Sequence, residues 1–127
     1  MLIPSGLSFF LEWYTERMQV IPAINSKNFE TVRSEVLLAA EFVPWIHIDV
    51  ADGIFTHNLT WGKPDEFHQL IKEHNLKTQF EIHLMVTNPE FLIEPWLRSG
   101  AKRVIVHIEA MTNPPYILET AKTLDAE

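Results

Sequence analysis

The chain has 127 residues, of which 46% are hydrophobic and none is cysteine, which predicts one compact domain with a core and argues against a disordered or disulfide-stapled protein. Its 17 acidic and 10 basic residues give a formal net charge of −7 without a lysine- or arginine-rich run, so neither nucleic acid nor anionic membrane is an expected partner. Charges interrupt the apolar stretches well short of the ~20 residues that span a bilayer, and the N-terminus lacks the pattern of a secretory signal, so we expect a cytoplasmic chain.

The first 19 residues form an N-terminal extension before the first predicted strand. Within it, Leu7, Phe10, Leu11 and Tyr14 follow the i, i+3, i+4, i+7 spacing of a short amphipathic helix. In the alternative interpretation, Met18 is the true start and the residues before it are a leader. Both interpretations stay open at this point, and residues 20–127 are the expected folded unit.

Four short apolar or β-branched segments are predicted to be strands, over residues 20–24, 45–50, 79–86 and 103–109. A helical pattern follows each one, and strands that alternate with helices and lack a wet face are typical of a parallel sheet covered by helices. A closed barrel of eight such units typically needs ~250 residues. The predicted fold is therefore α/β, a half barrel of the parallel (β/α) TIM-barrel type, from the first strand to the fourth helix.

Polar residues mark the expected ends of these helices. Ser26 or Asn28 can cap the first helix, while Asn88-Pro89 and Asn113-Pro114 are typical starts of the third and fourth. Gly100 is expected to end the third helix, and Pro95 to kink it.

Histidine and carboxylate recur together on three of the predicted strands. Because strand side chains alternate, two residues that are two positions apart share a face. This places His47 with Asp49, Glu81 with His83, and His107 with Glu109. An isolated strand histidine is most often a hydrogen-bonded core residue, but repetition on three strands favours a site. A buried carboxylate needs a cation or hydrogen bonds to offset its desolvation, and a divalent metal would supply the cation.

The candidate metal ligands are His47, Asp49 and His83. Nitrogen and oxygen ligands suit zinc, iron, manganese or cobalt, and the chain has no cysteine to offer instead. His57, His68 and His74 fall in a loop and on a helix, where an ordinary solvated role is expected. The sequence contains neither a glycine-rich nucleotide motif nor a serine nucleophile elbow, so the carboxylates remain as the candidate chemistry.

Four ordered motifs resemble the N-terminal half of the ribulose-phosphate 3-epimerase family. They read Trp-Ile-His-Ile-Asp-Val-Ala-Asp-Gly at 45–53, Asn-Leu-Thr-Trp-Gly at 58–62, Ile-His-Leu-Met-Val-Thr-Asn-Pro-Glu at 82–90 and Val-His-Ile-Glu-Ala at 106–110. The resemblance covers about residues 20–127, and four motifs in order are far more specific than one. It implies a TIM-barrel isomerase of the pentose phosphate pathway that epimerises C3 of ribulose 5-phosphate to give xylulose 5-phosphate.

The resemblance also implies residue roles. His47, Asp49 and His83 would be metal ligands, and Asp49 would also be one of two acid/base carboxylates. The family's second aspartate, which is the fourth metal ligand, and its phosphate-binding backbone lie in the second half of its barrel. Further substrate contacts are expected at Asn25, Ala51, Met85, His107 and Glu109.

Three positions depart from the family's pattern. Ala23 stands where a serine is expected, Ala51 replaces a methionine, and Glu81 replaces an aspartate. Each departure is expected to touch the substrate side of the site.

Several interpretations of function remain at this stage. A half barrel exposes sheet edges and apolar surface, so we expect a homo-oligomer or a complementing half-barrel chain, with a small sugar phosphate as the ligand. The alternative function is a truncated or degenerate half barrel without catalysis, acting only as a metal-binding or assembly module. Sugar-phosphate decarboxylases and aldol-type synthases fit less well, since they carry an Asp-x-Lys strand motif and no strand lysine stands beside Asp49.

Overall fold

The computed structural model describes residues 18–127, in which four strands form one parallel sheet in the order β1-β2-β3-β4. The strands are β1 (Ala23–Ile24), β2 (Trp45–Ala51), β3 (Gln79–Met85) and β4 (Arg103–Val106). The helices α1 (Phe29–Ala39), α2 (Pro64–His74), α3 (Ile93–Ser99) and α4 (Pro114–Thr123) follow the strands one by one. This alternation confirms the α/β half barrel that the sequence predicts. Within the described part of the chain, no helix is long and apolar enough to cross a bilayer.

The predicted N-terminal extension falls almost entirely outside this range. The amphipathic helix expected around residues 7–14 lies outside the described residues, of which the first is Met18.

The two faces of the sheet have different chemistry because side chains alternate along each strand. In β2, Ile46, Ile48 and Val50 are buried in the core between the sheet and the helices. His47 and Asp49 therefore point to the opposite face. The parallel register then aligns this polar face between strands, with His47 beside Glu81 and Asp49 beside His83.

The core on the helix side holds the sheet in place. Phe67 of α2 packs edge-on against Phe80 of β3, with ring centroids 4.9 Å apart, and its centroid lies 5.5 Å from that of Trp96 in α3. All three rings are fully buried. Proline in the first turn of α2, followed by Asp65 and Glu66, makes the helix start favourable.

Three predicted strands are longer than the observed ones, the third by a single residue, since it was expected over residues 79–86 and ends at Met85. The first was expected over residues 20–24 but contains only Ala23–Ile24, and the fourth was expected over 103–109 but ends at Val106. The register pairs Leu84 with Val106, and β3 ends one residue later, so the chain beyond His107 has no strand to pair with there. Residues Ile108–Ala110 instead close on themselves as a 3-10 turn. The expectation that Glu109 shares a strand face with His107 is therefore wrong.

The third helical segment differs from the prediction near Pro95. A 3-10 turn at Pro89–Phe91 precedes α3, which starts at Ile93, so Pro95 lies in the first helical turn. A proline is tolerated there because the first amides of a helix have no intrahelical acceptor, and the expected kink is replaced by a break before the helix. Gly100 ends the helix as predicted, with a φ of 121° that favours glycine.

A matched pair of substitutions tests the assignment of the two faces. Ile48 is 1% exposed on the helix side, whereas Ile105 is 37% exposed on the polar side. We expect Ile48→Ala to lower the free energy of unfolding by about 2–5 kcal/mol, because it leaves a cavity. We expect Ile105→Ala to lower it by less than about 1 kcal/mol. Urea unfolding measures both values, and equal losses would contradict the assignment.

Candidate functional site

His47, Asp49 and His83 meet on the polar face of the sheet. Asp49 Oδ1 lies 2.9 Å from His47 Nε2 and 2.9 Å from His83 Nδ1. One potential ligand atom from each side chain lies within 4.8 Å of the other two. The register creates this cluster, since it sets Asp49 directly beside His83 on the neighbouring strand.

The donor atoms of this cluster fit a metal ion. The remaining ring nitrogens are already engaged, His47 Nδ1 with Glu81 Oε1 at 2.7 Å and His83 Nε2 with His107 Nε2 at 2.8 Å. Each histidine thus turns one nitrogen to the Asp49 carboxylate. Two imidazole nitrogens and one carboxylate oxygen form a donor set that suits divalent transition metals. The cluster can therefore hold a metal ion.

Hydrogen bonds keep the Asp49 carboxylate ionised. Burial alone would raise its pKa, but hydrogen bonds from Asn25, His47 and His83 outweigh burial and hold the pKa below its usual value. Burial would likewise lower the pKa of His47, whereas its hydrogen bonds to Glu81 and Asp49, with their negative charges, raise that pKa. The surroundings of the ring thus favour a positive charge, which a proton or a metal cation can supply.

Two of the predicted substrate contacts touch this cluster. Asn25 donates from Nδ2 to Asp49 Oδ2 at 3.1 Å, and its own Oδ1 accepts from Asn58 Nδ2 at 3.3 Å. The ring of His107 stacks on that of His83, with centroids 5.0 Å apart, and Phe55 lies 5.0 Å away on another side. Asn25 and His107 thus border the cluster on opposite sides.

The other predicted substrate contacts differ in their surroundings. Met85 ends β3 and pairs in register with Ala51, beyond the cluster. Ala51 itself is buried, and its amide donates to the Thr60 hydroxyl at 2.9 Å. Glu109 lies exposed on the 3-10 turn after β4. The structure does not bring Glu109 onto the polar face of the sheet.

The sequence analysis expected Glu81 to touch the substrate side of the site, whereas the structure buries its side chain beside His47. It is only 7% exposed, and it sits beside His47 in the register, two residues before His83. Its Oε2 accepts from Arg103 Nη1 at 2.7 Å. The sequence analysis missed Arg103, although a basic residue at the start of an otherwise apolar strand is a signal that could have drawn attention to it.

The three histidines set aside in the sequence analysis lie apart from the cluster. His57 is exposed in the loop after β2. His68 and His74 belong to α2, where their ring nitrogens lie 3.2 Å from Ser99 O and 3.3 Å from Arg33 Nη2.

The comparison with protein families agrees with the motif order and the geometry. The model of the ribulose-phosphate 3 epimerase family matches residues 19–127. The chain belongs to the ribulose-phosphate 3-epimerase family. The match includes every strand and helix described above and confirms the resemblance found in the motifs.

Individual relatives of this chain are named ribulose-phosphate 3-epimerase. The ribulose-phosphate 3-epimerase of Treponema pallidum is 40% identical over 90 residues, which cover 70% of this chain and 40% of that protein. The cytoplasmic isoform of Oryza sativa subsp. japonica is 37% identical over 95 residues, covering 72% and 39%. The Rhodobacter capsulatus enzyme is 30% identical over 114 residues, covering 89% and 47%. The chain thus matches less than half the length of these epimerases.

A second carboxylate organises the loops beside the cluster. Asp52 Oδ1 accepts from the amides of Ile54 and Phe55 at 2.8 and 2.9 Å. Its Oδ2 accepts from the amide and hydroxyl of Thr87 at 2.9 and 3.1 Å. Burial alone would raise the pKa of Asp52, but these hydrogen bonds outweigh it and lower the pKa. Asp52 therefore joins the loop after β2 to the end of β3.

We expect Asp52→Asn to lower the free energy of unfolding by about 1–3 kcal/mol at pH 7, because an amide accepts these bonds more weakly. A lowered pKa in the folded state gives a stabilisation that is complete above the pKa of the unfolded chain, about 4, and is lost as the pH falls through the folded value. The difference between the two proteins should therefore shrink below about pH 4. Urea unfolding at pH 7 and pH 3 measures it, with Glu35→Gln as control, since Glu35 is exposed in the middle of α1, away from the charged ends of the helix. A pH-independent difference would contradict this role.

Proposed function

We propose that this chain supplies one acid/base carboxylate and three metal ligands to a ribulose-phosphate 3-epimerase site. The reaction would interconvert ribulose 5-phosphate and xylulose 5-phosphate by inverting C3, within the pentose phosphate pathway. The observation that carries the proposal is the convergence of His47, Asp49 and His83 in a chain of this family. The names of the relatives support the choice of substrate.

We propose zinc, iron, manganese or cobalt as the divalent ion, with His47, Asp49 and His83 as its ligands. When bound beside the substrate, such an ion would stabilise the negative charge that develops on the ketone oxygen as the neighbouring C3 proton leaves. The nitrogens that would bind the ion are the two that face Asp49, Nε2 of His47 and Nδ1 of His83. The other nitrogen of each ring is engaged with Glu81 or His107.

Asp49 would act as the base on one face of the substrate. Its carboxylate is ionised because the surrounding donors lower its pKa, so it can accept the C3 proton. The C–H electron pair then delocalises into the adjacent carbonyl as an O–H bond forms on Asp49. Return of a proton from the opposite face inverts the carbon. The resemblance implies that the family's second aspartate supplies that proton.

The substrate contacts and partners form the outer part of this proposal. Asn25 and His107, which border the cluster, would contact the sugar phosphate, while Ala51, Met85 and Glu109 remain predictions. As partner we propose a second copy of this chain or a complementing half barrel, either of which would cover the open edges of the four-stranded sheet. A cytoplasmic location is supported by the cysteine-free composition and by the cytoplasmic rice relative.

Proton exchange at C3 of ribulose 5-phosphate tests this function. When the chain is supplied with manganese or zinc in D₂O, the substrate should gain deuterium at C3. NMR follows this exchange and the formation of xylulose 5-phosphate. Asp49→Asn should slow the exchange by about 10²–10⁴-fold, because the general base is lost. The control is Asp65→Asn, which makes the same change on the exposed start of α2.

The outcomes separate the possible functions. Exchange with epimerisation would mean that a second acid is present in the assembly. Exchange without epimerisation would mean that Asp49 works alone on one face. No exchange with either metal would contradict catalysis and leave a metal-binding or assembly module as the function.

A further inference from the structure

A charged pair lies beneath the histidine–aspartate cluster and takes no part in the proposed reaction. Glu81 and Arg103 face each other in the register of β3 and β4, and Glu81 Oε2 accepts from Arg103 Nη1 at 2.7 Å. The other oxygen of the carboxylate, Oε1, accepts from His47 Nδ1 at 2.7 Å. Glu81 therefore joins a cation on one strand to a candidate metal ligand on another.

Arg103 is itself held from two sides. Its guanidinium lies 4.4 Å from the centroid of the Trp45 ring, a distance that favours a cation–π interaction. Its Nε and Nη2 atoms donate to Glu127 Oε2 at 3.0 and 2.6 Å. These contacts use the planar fork of the guanidinium and restrict its rotation. Arg103 thus gives Glu81 a fixed partner.

Burial makes this arrangement specific. An unpaired carboxylate at this depth would be costly to desolvate, and the ion pair with Arg103 offsets that cost. An apolar side chain would fill the position without such a cost. The chain therefore places a buried charge where packing alone does not require one, and the group that this charge contacts besides Arg103 is the ring of His47.

We propose that Glu81, fixed by Arg103, is a positioning residue for His47. It holds the ring proton on Nδ1 and thereby turns the lone pair of Nε2 towards the ion. The proposal rests on the metal site proposed above. Carboxylates that accept from the distal nitrogen of a metal-bound histidine fix its tautomer and strengthen it as a ligand, and their loss typically weakens metal binding by about 10–100-fold.

A purely structural role for the pair makes a different prediction. If Glu81 only joined β3 to β4, its removal would change stability and leave zinc affinity unchanged in the folded protein. Zinc affinity, measured by calorimetry on protein that circular dichroism shows to be folded, therefore distinguishes the two roles. The ring nitrogen of His47 that binds zinc gives a second readout, by nitrogen-15 NMR.

The first variant is Glu81→Gln, which keeps the size and removes the charge. We expect its zinc affinity to fall by about 10–100-fold. A matched control is Glu66→Gln, since Glu66 also accepts from a ring N–H, Trp61 Nε1 at 2.7 Å, and from a cation, Lys63 Nζ at 3.2 Å. This control, which lies outside the cluster, should bind zinc within about twofold of the unchanged chain.

A second variant tests the same role without leaving an unpaired charge that could destabilise the fold. Glu81→Gln leaves Arg103 short of one partner, whereas Glu81→Met combined with Arg103→Met removes both charges and leaves the net charge unchanged. Replacing a buried ion pair with apolar residues of similar volume is often tolerated. This double variant should fold and still lose about 10–100-fold in zinc affinity. In the unchanged chain, NMR should show zinc on Nε2 of His47 and the proton on Nδ1.

The outcomes separate this proposal from the function on which it rests. If the unchanged chain binds zinc and the folded variants bind it equally well, Glu81 has no positioning role. Zinc bound to His47 Nδ1 in the unchanged chain would also overturn the proposal. If the unchanged chain binds no zinc, the metal site itself is wrong and the positioning role falls with it, a result seen before any substitution is made.

Discussion

The parallel register of β2 and β3 is the constraint on which the site depends. It sets His47 beside Glu81 and Asp49 beside His83, so that each polar side chain of one strand has its partner on the next. Because strand side chains alternate, a slip by one residue would turn this whole set into the helix-side core. The apolar residues on the other face oppose such a slip, since it would expose them. The core therefore specifies the site although it does not touch the cluster.

The sequence predicted the parts of the structure that depend on local pattern. Alternation within residues 45–50 correctly separated the polar face from the apolar face. Asn28, one of the two predicted candidates, caps α1, and Asn113 caps α4 as expected. The ordered motifs identified the family. These features depend on the spacing of residues along the chain, which the sequence states directly.

The parts that the sequence did not predict depend on neighbours in space. The apolar pattern after residue 103 continues past the last strand partner, so the end of β4 follows from the length of β3 rather than from its own residues. In the same way, Glu81 meets Arg103 only because the two strands pair at that position. Periodicity along one strand carries no information on which residue of the next strand lies beside it.

The position of Asp49 is fixed by the loop after β2 as well as by the register. The Thr60 hydroxyl donates to the backbone oxygen of Asp49 at 2.7 Å and accepts from the amide of Ala51, so this loop residue holds β2 on both sides of Val50. The amide of Trp61 donates to Ser26 O at 2.8 Å, which ties the same loop to the segment after β1. An acid/base group must be held within about 0.5 Å of its productive position to act on a bound carbon, and side-chain hydrogen bonds alone do not fix the backbone that carries it. The loop and the sheet together thus give Asp49 the fixed geometry that proton transfer requires.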